Sequence, residues 1–399
     1  MKTRILWTGV LGVLAASTAQ AQSSVTLYGR LDASTAYYDR TRTSTNRLLR
    51  LNTDSGSSSR WGLTGTEDLG GGLSAMFNLE AALDLATGNG VTGGSNSGTL
   101  IAQPAASFWR RNSYIGLKSS SLGQVTLGRN YTAALIGHAN IINALPAGIN
   151  TGFATATAAQ GIGNDYWNSN QIRYDSPKLG GFDFAASMSA GEQGASGNKA
   201  GSTIGGLVRY MGGPFAVAAS YQRDYDVAGT GKSLNWYMLS GSYTSGDFKV
   251  AAGYDAVNNR EGRTATAPGG IATFAGATCP TTPTPAGSTV PVPCPYVGWT
   301  DSKMWTVGGS YNVTPLFVLA AQYFAVKETF GGTTSKQTVL NAQYYLSKRT
   351  SFYALVSQVK NETLALGPIW ANGVFTGSND TLVPNGKNYG IATGIQHVF

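Results

Sequence analysis

The amino-acid sequence predicts an all-β protein, a 16-stranded antiparallel transmembrane β-barrel, on three observations. Only 12% of the 399 residues are charged, against about 25% in ordinary globular chains, while 53 Gly, 20 Tyr and 14 Phe favour tightly turned β structure. Segments that alternate apolar and polar residues recur along the chain. They run to roughly ten residues, the length of a tilted membrane-crossing strand rather than of a strand in a soluble sandwich. The connections between them alternate between very short and mostly long and polar. After the first 21 residues no stretch approaches the roughly 18 consecutive apolar residues of a spanning helix, so only a closed barrel can satisfy its backbone polar groups in lipid.

The chain opens with Lys2 and Arg4, an apolar run from Ile5 to Ala16, and small residues at Ala19 and Ala21. Residues 1–21 are therefore predicted to be a signal peptide cleaved after Ala21, and 22–399 the barrel domain. Removing Lys2 and Arg4 from 28 basic residues leaves 26 against 20 acidic ones, a net +6 too scattered for a nucleic-acid partner.

In the first strand, VTLYGRLDAS, Val25, Leu27 and Leu31 take one face, and Thr26, Tyr28, Arg30 and Asp32 take the other. Next, Trp61 and Leu63 face lipid or a partner subunit while Arg60 points inward. In LSAMFNLEA, Leu73, Ala75, Phe77 and Leu79 face out, leaving Asn78 and Glu80 inside. WRRNSYIGL is ambiguous, because Arg110 and Arg111 sit on opposite faces and alternation alone does not choose between them. After QVTLG, the segment NQIRYDSP places Ile172 and Tyr174 outward and Arg173 inward. FDFAAS, FAVAASYQ, NWYMLSGSY, FKVAAGYDA, FVLAAQYF, FYALVSQV and YGIATGIQHVF continue the rhythm. A charge on the lipid face at the midplane costs about 2–4 kcal/mol, which enforces this parity. The short connections are DLGGG, SSSLG, SPKLGG, MGGP, TSGD, NVTP and SKRT. The long ones span roughly 38–59, 85–107, 131–169, 191–201, 226–233, 259–301 and 363–387, with a short member near 329–334. Short turns at one rim and long loops at the other are the outer-membrane pattern, and about sixteen strands leave a water-filled lumen.

The residues argue against an enzyme, and no cofactor or metal is expected. Two histidines supply little for a metal centre or an imidazole base. His138 has no acid close to it in sequence, and His397 lies at a strand end. Cys279 and Cys294 share the loop 259–301 with seven of the 14 prolines, and a surface disulfide in an oxidising compartment is the expectation. GTGKS at 229–233 lacks the first glycine of a phosphate-binding loop and reads as an exposed turn.

SSVTLYGRLD, SRWGLTGTEDLGGGLSAMFNLE, RNSYIGLKSSSLGQVTLGRNYT, NQIRYDSPKLGGFDFAAS and the terminal GIQHVF, in this order, resemble the general trimeric porins of Gram-negative outer membranes, particularly the beta-proteobacterial and neisserial type. The resemblance implies a homotrimer with short periplasmic turns, long extracellular loops and a third loop folded into the lumen. It places Arg30, Arg60, Arg111 and Arg173 on the wall facing that loop, favouring Arg111 over Arg110. Arg129, which shares parity with Val125 and Leu127, falls on the outer, subunit-facing side. Small outward residues such as Gly29 and Ala33 are compatible with subunit packing. Terminal Phe399 is implied as the signal read by the barrel assembly machinery. The implied partners are outer-membrane lipid and lipopolysaccharide, small anions and hydrophilic solutes.

Between Tyr131 and Ser169 the one acid is Asp165, so the constriction set of Arg30, Arg60, Arg111, Arg173 and Asp165 carries a one-sided positive field. The expected function is a diffusion channel for small hydrophilic solutes with a moderate anion preference. Two other readings stand beside it. The arginines would merely brace the wall by pairing with Asp32, Glu80 or Asp165. Alternatively the channel is substrate-selective, with Tyr28, Tyr166 or Trp167 lining a specific path.

Overall fold

Because side chains alternate with period two, a strand with one apolar face pairs with its neighbours only in the register that keeps those faces together. The computed structural model describes residues 24–39, 47–90, 107–148, 166–191, 199–225, 233–259, 301–328, 334–362 and 386–399. The predicted signal peptide, Asp165, Cys279, Cys294, the GTGK of 229–232 and most of the proline-rich loop lie outside them.

The strands are β1 (Ser24–Tyr38), β2 (Leu48–Thr53), β3 (Arg60–Gly70), β4 (Leu73–Ala82), β5 (Asn112–Ser119), β6 (Gly123–Tyr131), β7 (Trp167–Asp175), β8 (Phe182–Ser189) and β9 (Thr203–Gly212). They continue with β10 (Phe215–Tyr225), β11 (Ser233–Ser245), β12 (Phe248–Asn259), β13 (Ser302–Thr314), β14 (Phe317–Glu328), β15 (Thr334–Tyr345), β16 (Thr350–Asn361) and β17 (Gly386–Val398). One helix, α1 (Ala133–Ile142), follows β6.

Each strand pairs antiparallel with its neighbour, and β17 closes on β1 from Arg30↔Val398 to Tyr38↔Gly390. The closure ends on Phe399, whose backbone exchanges two hydrogen bonds with Gly29 at 3.0 and 3.1 Å. No edge is left unpaired in lipid. The outward row is apolar across the seams: Phe77↔Ile115↔Leu127↔Ile172↔Met188↔Ile204. Ile115 is 62% exposed and Met188 56%, exposure that suits lipid contact rather than water. Trp61, Phe77 and Leu79 share this outer face through their pairing with Gly29, Gly65 and Leu63. Seven short turns join β3–β4, β5–β6, β7–β8, β9–β10, β11–β12, β13–β14 and β15–β16. Gly213 (φ 54°) and Gly246 (φ 55°) supply the left-handed backbone that two of these turns require.

The first long connection differs from the sequence expectation. Residues 48–53 are wall rather than loop. β2 pairs with the far half of β1 (Ala33↔Thr53 to Tyr38↔Leu48) and β3 with its near half (Ser24↔Thr66 to Arg30↔Arg60). Together β2 and β3 make one of sixteen wall strands, interrupted at 54–59. Leu49 and Leu51 face out and Arg50 faces in; charges among these few apolar residues had hidden the alternation. The interruption folds inward because Asp32 Oδ2 accepts from the backbone N–H groups of Gly56 and Ser57 at 3.2 and 2.8 Å, while Asp54 takes a left-handed φ of 64°.

The third long connection enters the barrel as predicted, but as a helix. α1 is almost wholly apolar (AALIGHANII) and buries Leu135, Ala139 and Ile142 with inward Trp236, Met238, Met304 and Phe324. Here the inner face is not wet. Strands β11, β13 and β14 carry apolar residues on both faces where the helix covers them, and Ala36 and Tyr38 at the end of β1 pack against Leu145 and Ala147, whereas the inward stretch around Arg30, Asp32, Arg60, Asn78 and Glu80 stays polar.

Candidate functional site

Arg30, Arg60, Glu80 and Arg173 lie on regularly paired stretches of β1, β3, β4 and β7, Arg173 beyond the break at Asn170 (φ 55°), so parity aims each of these side chains into the lumen. Arg30 and Arg60 are direct cross-strand partners on β1 and β3. Arg30 donates to Ser57 Oγ at 2.8 Å and Arg60 to the Ser58 carbonyl at 2.8 Å, so the inward-folded 54–59 segment holds both guanidiniums. Like charges placed side by side repel, and here neutral oxygens rather than carboxylates do most of the positioning.

Glu80 on β4 lies at the centre of the cluster. It accepts from Arg111 Nε, stands 3.5 Å from Arg60 Nε, and receives the Tyr28 hydroxyl at 3.0 Å. Arg111 also donates to the Tyr131 hydroxyl and stacks with its guanidinium 4.6 Å from the Trp167 ring centroid. The chain is irregular before Asn112, so alternation does not apply there, and Arg111 is the arginine that joins the lumen cluster. Arg110 is buried beside it, with its carbonyl accepting from Arg129 Nε. Arg129 keeps outward parity but is buried rather than open to a neighbouring subunit, its Nη1 donating to Ser169 Oγ at 2.9 Å.

Arg173 is engaged by an acid the sequence reading did not single out. Its Nε and Nη2 grip Asp175 at 2.9 and 2.6 Å, and its Nη1 donates to the Tyr131 carbonyl at 3.0 Å. Asp32, by contrast, does not brace an arginine. It is fully buried and receives Tyr353 Oη and Gln396 Nε2 at 2.6 Å each, in addition to the two N–H groups of the inward segment. Of the four wall arginines, Arg111 and Arg173 are tightly paired with carboxylates, while Arg60 stands 3.5 Å from Glu80 and Arg30 is held by Ser57.

Further inward charges follow from parity once the strand limits are known. Arg50 donates to Tyr38 Oη at 3.3 Å, Arg209 pairs with Asp183 at 2.9 Å, and Lys249 Nζ donates to the Asn143 carbonyl at 2.7 Å. Lys249 thus places a cation on the C-terminal end of α1, where the helix dipole is negative. Tyr28 serves Asn78 and Glu80, and Tyr166 and Trp167 are buried, so these rings form no continuous track along the lumen.

His138 has an acid after all. The helix brings its Nε2 to 2.7 Å from Asp255 Oδ1 on β12, a pairing across the lumen that sequence distance conceals. His138 is fully buried, which bars any substrate from it, so the pair is an anchor for α1. Asp255→Ala removes this partner from a buried imidazole at a cost of about 1–3 kcal/mol. The expected result is roughly tenfold faster proteolysis within 131–169 with the barrel still folded, and Asp255→Asn should preserve most of the protection. Equal cleavage rates for wild type and Asp255→Ala would remove the anchoring role.

Residues 8–364 match the family described as Gram-negative porin. The chain belongs to the Gram-negative porin family. It is 30% identical to outer membrane porin protein 32 of Delftia acidovorans over 98% of both chains. It is 31% identical to an outer membrane porin of Bordetella pertussis over 64% of this chain and 69% of that one. Among solved structures, the anion-selective porin from Comamonas acidovorans superposes with a TM-score of 0.71 at 26% identity, covering 95% of this chain and all of that one. This porin is an outer-membrane channel protein, and its closed sixteen-strand wall is that of its relatives.

Proposed function

We propose that this porin is a general diffusion channel for small hydrophilic solutes with a moderate preference for anions, and that Arg30, Arg60, Arg111 and Arg173 form its selectivity wall. The observation that carries the reading is the Arg30–Arg60 pair, two adjacent guanidiniums held by neutral oxygens in the lumen with Glu80 alone close to Arg60. Guanidinium stays charged at all working pH values, so the pair is a permanent positive step on the ion path. The similarity to a porin described as anion-selective supports the same reading.

The test is the reversal potential of single channels in a KCl gradient. Chloride preference is the expected sign, and a potassium preference would refute it. We extend the reading to a homotrimer in contact with lipopolysaccharide, and to Phe399 as the recognition signal for the assembly machinery.

A further inference from the structure

Asp32 follows Arg30 by two positions on the same lumen face of β1, about 7 Å along the strand. As a counter-charge it would weaken the field of that arginine. Its partners imply a different role, because they are neutral. Oδ2 accepts from the backbone N–H groups of Gly56 and Ser57 at 3.2 and 2.8 Å and from Gln396 Nε2 at 2.6 Å, and Oδ1 accepts from the Tyr353 hydroxyl at 2.6 Å. The Asp32 backbone adds two ties, its N–H donating to Ser59 Oγ at 2.9 Å and its carbonyl accepting from the Asp54 N–H at 3.2 Å. The inward turn 54–59 is thus fastened at both ends and in the middle to one residue.

That turn carries the two oxygens that position the arginines. Ser57 Oγ and the Ser58 carbonyl lie between the anchored N–H groups of 56–57 and the anchored hydroxyl of Ser59, and they receive Arg30 and Arg60 at 2.8 Å each. Residues 54–59 belong to neither β2 nor β3, so no ladder keeps them in the lumen. Asp32 is fully buried, so no permeating ion touches it.

The same carboxylate reaches the third long connection. While donating to Asp32, Gln396 Nε2 also donates to the Ala147 carbonyl at 2.6 Å, and the Ala147 N–H donates to Asn341 Oδ1 at 3.3 Å. Gly148 lies so close that a Cβ there would collide with the Gly56 carbonyl. Two inward segments therefore meet backbone to backbone beside Asp32.

We propose that Asp32 is a specificity-determining residue of this pore by position rather than by charge. It clasps the 54–59 turn to the end of the third loop and so holds Arg30 and Arg60 on the ion path; this rests on the reading above that the arginine wall selects anions. Without the clasp the Ser58 carbonyl withdraws from Arg60, whose Nε closes the 3.5 Å gap to Glu80 and is neutralised there. Arg30 loses Ser57 and is no longer fixed.

Asparagine and alanine separate position from charge. Asparagine keeps the shape: its carbonyl oxygen takes the place of Oδ2 with its three donors, and its NH2 group donates to Tyr353 Oη, since a hydroxyl accepts as well as donates. Alanine removes charge and clasp together. A counter-charge role raises chloride preference in both variants, whereas a clasp gives opposite signs.

The test uses the full-length protein in planar bilayers under a KCl gradient. Asp32→Asn is expected at or above the wild-type chloride-to-potassium ratio. Asp32→Ala is expected about fivefold below it, the equivalent of one guanidinium charge withdrawn from the path. Asp32→Ala should also show brief closures absent from wild type and from Asp32→Asn, as the released segments move in the lumen. Equal ratios in the two variants, whether raised or lowered, would overturn the proposal. Should Asp32→Ala lose its folded migration on unboiled gels, Gln396→Ala loosens the same clasp from β17 without altering any charge. It is expected to lower the ratio about twofold, and an unchanged ratio would overturn the clasp. A wild type that prefers potassium would sink the arginine reading alone, and the presence or absence of closures in Asp32→Ala would then decide the clasp.

Discussion

Replacing Arg30 and Arg60 together by glutamine is expected to remove most of the chloride preference while leaving an open, folded channel. The two guanidiniums are neighbours across β1 and β3, and neutral Ser57 and Ser58 oxygens position them. Each unit charge about 4 Å from a passing ion in water is worth about 1 kcal/mol, so losing both, about 2 kcal/mol together, should lower the chloride-to-potassium permeability ratio by up to roughly thirtyfold. Arg173→Gln should do much less, because Asp175 already takes its charge at 2.6 Å. The sharper contrast is Glu80→Gln, which releases the field of Arg60 and Arg111 and should raise chloride preference. Reversal potentials of the three variants in one KCl gradient decide the matter. If the Arg30/Arg60 variant keeps its preference, selectivity belongs to charges at the pore mouth.

Gly29→Val is expected to abolish barrel closure. A Cβ at this position would collide with the Phe399 ring and sit 2.7 Å from the Arg60 carbonyl oxygen. A ring can swing aside, but a wall carbonyl on the neighbouring strand cannot move without breaking the β1–β3 ladder. Overpacking of this kind typically costs about 1–3 kcal/mol, and here it falls on the seam where Gly29 and Phe399 exchange two backbone hydrogen bonds. Folded, heat-modifiable protein should drop to a small fraction of wild type. In refolding from denaturant, where no assembly machinery acts, adding Phe399→Ala to Gly29→Ala relieves only the ring clash, so partial recovery over Gly29→Ala alone is the expected outcome. A wild-type yield of folded Gly29→Val would show that the seam tolerates a side chain. The small residue read as a subunit-packing surface is thus occupied within its own chain, by the terminal phenylalanine.

The wall was legible residue by residue. Leu27, Phe77, Leu79 and Ile172 face lipid and Arg30, Arg60 and Arg173 face inward, as alternation requires, because a strand's period is a local property. The same rule reaches Arg50, Arg209 and Asp183, once 48–53 is recognised as strand. It fails at Arg111, where the backbone is irregular, and at α1, where Trp236 and Met304 point inward without violating any physics, since a helix keeps them dry.

By itself the sequence determined the cylinder: which face of each strand is greasy, where the turns fall, and that several arginines look into the lumen. Pairing between distant segments decided the rest. Asp32 is held by Gln396 from 364 residues away, Glu80 meets Arg111 from 31, and Asp255 waits across the lumen for His138. Whether an inward charge acts on the ion path or is cancelled by a partner depends on distances of a few ångströms between residues that only closure of the barrel brings together, since a Coulomb interaction follows separation in space and not along the chain.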